Sequence, residues 1–137
     1  MIFTDDESAY LDSQTLGRLA TVQPDGTPQV SPVGFTYNRA LDTIDIAGYS
    51  MSTSQKFRNV THEPRVALVV DDVASVRPWR VRFLEIRGVA ETVLDPSPAP
   101  GADASLIRIR PRRIIGFGLS DPDRDPHQVT PERRNVP

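Results

Sequence analysis

Lys56 sits in the stretch SMSTSQKFRNV, residues 50–60, and is the only lysine in a chain whose other strong cations are all arginine. Serines and threonines precede it. Ser52 and Gln55 have the spacing of a capping box, S-x-x-Q, which predicts a helix over residues 53–62 with Thr53, Ser54 and Gln55 in its first turn. A helix N-terminus carries unpaired backbone N–H groups and a partial positive charge. A lysine there is mildly unfavourable unless an anion binds. Backbone N–H groups, serine hydroxyls and one ammonium together make a cradle for phosphate, and Arg58 can add a second charge. The other reading is a solvated lysine on an ordinary capped helix. The residues alone leave both open.

Other chemistry is thinly represented. There are no cysteines, so disulfides, thiolate zinc sites and a thiol nucleophile are excluded. The two histidines, His62 and His127, lie far apart, and no metal site is expected. No G-x-S-x-G or serine–histidine spacing supports a hydrolase. Asp71 and Asp72 read as solvated carboxylates. Arg108, Arg110 and Arg112 alternate along one strand face, as a solvated stripe or a contact surface. Trp79 is expected to pack on the barrel or to border a ligand pocket, with packing favoured. Phe117, between Gly116 and Gly118, has a better case for touching a ligand, because flanking glycines allow close approach. No catalytic residue is identified.

The elements that must position these residues follow from pattern. Thr4 and Glu7 form a capping box that opens a helix over 4–14. Residues 17–23 and 27–37 read as a hairpin about Pro24-Asp25-Gly26, with Pro28 and Pro32 making its second strand irregular. Residues 43–49 are a third strand. After the second helix, 65–71 is a buried strand, 72–79 a loop, 80–94 a long strand with Gly88 marking a bulge or close approach, and 95–103 a Pro-rich loop. Residues 104–119 are the last strand. Short connections between strands predict a mainly β, antiparallel barrel closed by two short helices, one domain over 1–120. The tail, 121–137, has too little apolar content to fold alone, and is expected to fray or lie on a partner subunit.

The pieces LATVQPDGTPQVSPVGF, SQKFRNVTHEPRVALVVDD and EIRGVAE, in this order, resemble the pyridoxamine 5′-phosphate oxidase-like superfamily of flavin and deazaflavin proteins. More narrowly, they are similar to an actinobacterial group of oxidoreductases dependent on the deazaflavin coenzyme F-420. The resemblance implies an FMN-binding split β-barrel fold and a homodimer with two cofactor sites at the interface. It places the phosphate-binding segment on Ser54, Gln55 and Lys56, with Asn59 and Pro64 after them. Tyr49 and Ser50 would line the same site. The strand whose backbone runs along the cofactor ring falls on Ser31, Pro32 and Val33. Basic residues stand near two of these positions in the pyridoxamine oxidases proper, where this chain has Ser31 and Gln55.

The function so implied is transfer of a hydride from reduced coenzyme F-420 to a small unsaturated or carbonyl-type substrate. FMN is the alternative cofactor, and a non-catalytic flavin or deazaflavin carrier is an alternative role. A net charge of −2, with no basic stretch interleaved with aromatics, argues against nucleic acid as a partner. No apolar run approaches the length of a membrane span. The acidic start MIFTDDESAYL does not read as a signal peptide, so a cytoplasmic location is expected.

Overall fold

The computed structural model describes residues 1–137, as eight strands and two α-helices. Helix α1 (Asp5–Ser13) begins at the expected box: Thr4 Oγ1 accepts from the Glu7 N–H, and Glu7 Oε1 accepts from the Thr4 N–H at 2.9 Å. Strands β1 (Gly17–Val22) and β2 (Pro28–Val33) form the expected hairpin. The run predicted over 27–37 breaks at Gly34-Phe35, so its end is a separate strand, β3 (Thr36–Asn38), which pairs with β4 (Thr43–Ile46). Helix α2 (Gln55–His62) precedes β5 (Arg65–Ser75), β6 (Arg80–Leu94) and β7 (Ser105–Phe117). Strand β5 runs four residues beyond its predicted end. The first half of the expected 72–79 loop is therefore strand, because β6 is long enough to pair with Asp72, Val73 and Ser75.

All pairings are antiparallel, in the order β2-β1-β5-β6-β7-β4-β3. The two ends of this sheet, β2 and β3, are consecutive in the chain but share no ladder. The sheet thus curls into a barrel split along one seam, and the expected split-barrel fold is the one observed. Gly88 sits at a bulge between β6 and β7, where a Cβ would lie 2.3 Å from the Arg110 carbonyl oxygen. Only glycine allows that approach.

Alternation sorts the strands into two faces. Leu19, Val66, Leu68, Val70, Leu84, Ile86, Ile107 and Ile109 point inward and are buried. Each such side chain contributes about 1.5–3 kcal/mol by leaving water. Arg18, Ala20, Val30, Ala67, Val69, Phe83, Glu85 and Val89 point outward, so the outer face of β2-β1-β5-β6 carries an apolar strip. No helix is long and apolar enough to cross a membrane.

The tail does not fray. Residues Glu132–Asn135 form β8 and pair with Arg113–Gly116 of β7. Arg134 reaches the buried Glu7 of α1, with Nη1 2.8 Å from Oε2. A polar strand is held here by an ion pair and backbone bonds, which its low apolar content did not announce.

Candidate functional site

Helix α2 is capped by Ser54, not by Ser52. Ser54 Oγ accepts from the Phe57 N–H and donates to the Met51 carbonyl at 2.7 Å. Ser52 is drawn away by the 95–103 loop: its N–H and hydroxyl both donate to Asp103. These bonds, with one from the Ser105 N–H, hold the Asp103 carboxyl down at about 2. The predicted S-x-x-Q box is therefore absent. A short 3-10 turn, Met51–Thr53, leads into the helix instead. The cap shift places Gln55 and Lys56 as the first two helical residues.

Their backbone N–H groups have no acceptor within the chain. Lys56 makes no ion pair and no side-chain hydrogen bond, while nine arginines are paired with carboxylates. Arg58 is also free of carboxylates; its guanidinium donates to the Thr53 carbonyl at 2.9 Å and to Gln55 Oε1 at 2.8 Å. Two open N–H groups, a free ammonium and a braced guanidinium converge on one helix turn, which is the composition of an anion cradle.

The cradle is tied to β2 by Asn59, which is fully buried. Asn59 Oδ1 accepts from Gln55 Nε2 at 2.7 Å. Its Nδ2 donates to Gln29 Oε1 at 2.8 Å and to Thr21 Oγ1 at 3.0 Å. Gln29 and Ser31 alternate on the same face of β2, and Ser31 Oγ is buried with no hydrogen-bond partner. Ser31 Oγ is thus an unsatisfied buried hydroxyl on the strand that Asn59 ties to the start of α2. Strand β2 ends the sheet, so one row of its backbone N–H and C=O groups is unpaired by any strand.

The remaining candidates fall as follows. Val33 turns its side chain into the core, and Pro32 is exposed on the outer face. Ser50 supplies the carbonyl that closes the 3-10 turn. Tyr49 is 80% exposed and rests against Gly101. Asp71 and Asp72, read as solvated, are paired with Arg18 and Arg82. The Arg82 and Tyr10 hydrogen bonds outweigh the cost of partial burial and hold Asp72 below the usual carboxylate range. Arg108 and Arg110 are paired with Asp45 and Glu91, leaving Arg112 as the free member of the stripe. Trp79 does not pack inside; it is 59% exposed, on the β5–β6 hairpin. The sequence reading did not find Thr21 and Gln29. Polar residues at two successive inward positions of β2, Gln29 and Ser31, were the available signal.

The donor set fits a ring cofactor with an acidic tail: cations and N–H groups for the phosphate, and an edge strand with an orphaned hydroxyl for the ring. The family model described as pyridoxamine 5′-phosphate oxidase matches residues 3–133. A 5a,11a-dehydrotetracycline/5a,11a-dehydrooxytetracycline reductase of Streptomyces rimosus is 42% identical over 125 residues, covering 87% of this chain and 85% of that protein. A solved structure described as an F420 reductase superposes with a TM-score of 0.60 at 32% identity, over 76% of this chain and 91% of its own. An FAD-binding protein of Mesorhizobium loti, 21% identical, shares the fold with a TM-score of 0.62, over 85% of this chain and 97% of its own. The cradle, the split barrel and these matches agree: the chain belongs to the pyridoxamine 5′-phosphate oxidase family.

Proposed function

We propose that this oxidoreductase uses the deazaflavin coenzyme F-420 to reduce a conjugated, carbonyl-bearing substrate. The observation that carries the reading is the free ammonium of Lys56, beside two open N–H groups and linked through Asn59 to the strand that bears Ser31. Lys56 and the first turn of α2 hold the cofactor phosphate. Ser31 and the backbone through Val33 hold the ring edge, and Arg58 faces the acidic tail. When bound, the deazaflavin supplies a hydride, and the cofactor carries the redox chemistry. The chain anchors it, orients it and shields the ring from water. The Streptomyces relative acts on a dehydrotetracycline and the 32%-identical structure is an F420 reductase, which supports both the cofactor and a conjugated substrate.

FMN is the second reading, and the cradle disfavours it. Gln55 stands where the pyridoxamine oxidases have a basic residue, and its side chain is spent on Asn59 and Arg58. A terminal phosphate dianion would meet only one free ammonium. We further infer that the chain acts as a homodimer packed on the apolar outer face of β2-β1-β5-β6, where Val30 is 66% exposed. Parallel titration with coenzyme F-420 and FMN, followed by cofactor fluorescence, tests the assignment. Micromolar or tighter F-420 binding with weaker FMN binding is expected. The reverse order would move the protein to the flavin branch, and binding of neither would end the cradle reading.

A further inference from the structure

The chain has a second concave site, far from the cradle. A cavity of 660 Å³ lies between the β5–β6 hairpin and the tail, lined by Trp79, Val81, Phe117, Pro126, His127 and Arg80 among others. Its size is that of a small-molecule pocket. Its walls are fixed: Arg80 donates to the Arg124 carbonyl, Asp125 Oδ1 accepts from the His127 N–H at 2.9 Å, and Gly118, at φ +73°, lets β7 approach the Val81 carbonyl. Trp79, the only tryptophan, offers a flat apolar platform. The His127 ring and Arg80 stand at the margin as polar groups. Aromatic and proline walls, with Arg82, Asp121 and Asp125 also in the lining, suit a flat, multi-ring ligand with oxygens and hydroxyls on its edges.

Within one chain this cavity cannot serve the cradle. Helix α2 leads into β5 at Arg65, whereas Trp79 lies past the other end of the β5–β6 ribbon. Eight ladder steps from Arg65 to Val73 separate them by roughly 25 Å. A two-fold interface on the outer face changes this. The cavity is continuous with that face, because Phe117 lines it and stacks on the outward Phe83 at 5.5 Å. An axis along the strands would set like ends together, cradle cations against cradle cations. An axis across them keeps the cationic cradle ends, with Lys56, Arg58 and Arg112 unpaired, apart, and sets each against the hairpin end, where Arg77 and Arg80 are offset by Asp123 and Asp125 of the tail. Charge favours the second arrangement. Resting on the cofactor reading above, we propose that the Trp79–His127 cavity binds the flat, polyoxygenated acceptor and presents it to the cofactor held by the partner subunit's cradle.

Oxytetracycline, a stable four-ring polyoxygenated compound, is the probe. Titrated into the dimer without cofactor, it should quench Trp79 emission saturably, with the same midpoint by calorimetry. Trp79→Ala and His127→Ala should each weaken calorimetric binding at least tenfold while F-420 affinity stays within twofold. Lys56→Ala should do the opposite. Equal oxytetracycline binding by wild type and both cavity variants, or no saturable binding, would overturn the site. The arrangement across subunits is tested by co-expressing Lys56→Ala with Trp79→Ala chains. Random pairing makes half the dimers mixed, each with one intact composite site, so about a quarter of wild-type F-420-dependent turnover should return. In the purified mixed dimer, bound F-420 should also strongly quench the single Trp79. No restored turnover with unmoved emission would overturn the arrangement across subunits. If F-420 fails to bind wild type, the cofactor reading falls, while the oxytetracycline titration still decides the cavity.

Discussion

At the scale of single residues, Lys56 and Asn59 divide two tasks. Lys56 has no partner in the chain, so the fold loses nothing when it is removed. Lys56→Ala should weaken F-420 binding at least tenfold, the loss of a charged hydrogen bond being worth about 1.5–3 kcal/mol, with the thermal midpoint unchanged. Equal affinity in the variant would refute the phosphate assignment. Asn59 is the reverse case, buried and bonded to Gln55, Gln29 and Thr21. Asn59→Ala strands three polar partners and should destabilise the barrel by about 2 kcal/mol, measured by urea unfolding. F-420 affinity should fall with it, since α2 would no longer be registered on β2. A variant that loses stability but keeps its full affinity would show that the bridge is structural only. Helix α2, with Lys56 in its first turn, was legible beforehand because a hydroxyl-rich helix start is a local signal. The true cap was not: in the run Ser52-Thr53-Ser54 two hydroxyls compete. Asp103, 51 residues away from Ser52, decides between them.

At the scale of elements, the barrel strands followed from alternation, and the first helix from its capping box. The elements that escaped are those made by distant partners. Strand β8 is ERRN, with no apolar residue to mark it, and exists because β7 offers an edge and Glu7 a buried carboxylate. Burial by itself would raise the Glu7 pKa; the Arg134 guanidinium and the Thr4 N–H outweigh it and hold the carboxyl below its ordinary value. The stability this pair contributes is complete above the ordinary carboxylate range. It is lost as pH falls through the depressed folded-state value. Arg134→Ala leaves only the Thr4 bonds to oppose burial, so the stability that depends on the ionised carboxylate, and with it the acid loss, should shrink. At neutral pH the variant should be less stable by on the order of 3 kcal/mol. Deleting residues 131–137 should cost at least as much, and Glu7→Gln in the shortened chain should restore part of it. Urea unfolding across pH 3–7 checks all three; a deletion with wild-type stability at every pH would show that β8 is only laid on the surface.

At the scale of the whole molecule, the outer face of β2-β1-β5-β6 must be reconciled with water. Val30, Val73 and Val89 are exposed there, and Phe83 and Phe117 stack beside them. Such a strip, crossed by Arg18 and Glu85 and edged by Asp71 and Arg87, has the mixed apolar and charged make-up of a subunit interface. Val69 lies at its middle, paired in the ladder with Arg18 on one side and Glu85 on the other, and its side chain points away from the core. Val69→Asp therefore leaves the barrel interior untouched, but an isologous interface brings two new carboxylates close together near the axis. The variant should sediment as a folded monomer with a near-native circular dichroism spectrum. Its F-420 affinity should fall at least tenfold although Lys56, Asn59 and Ser31 are all intact, because half of each site would be missing. Oxytetracycline should still quench Trp79 in the monomer, since one chain builds the whole cavity. A folded monomer that binds F-420 as tightly as the wild type would show that a single barrel completes the cofactor site.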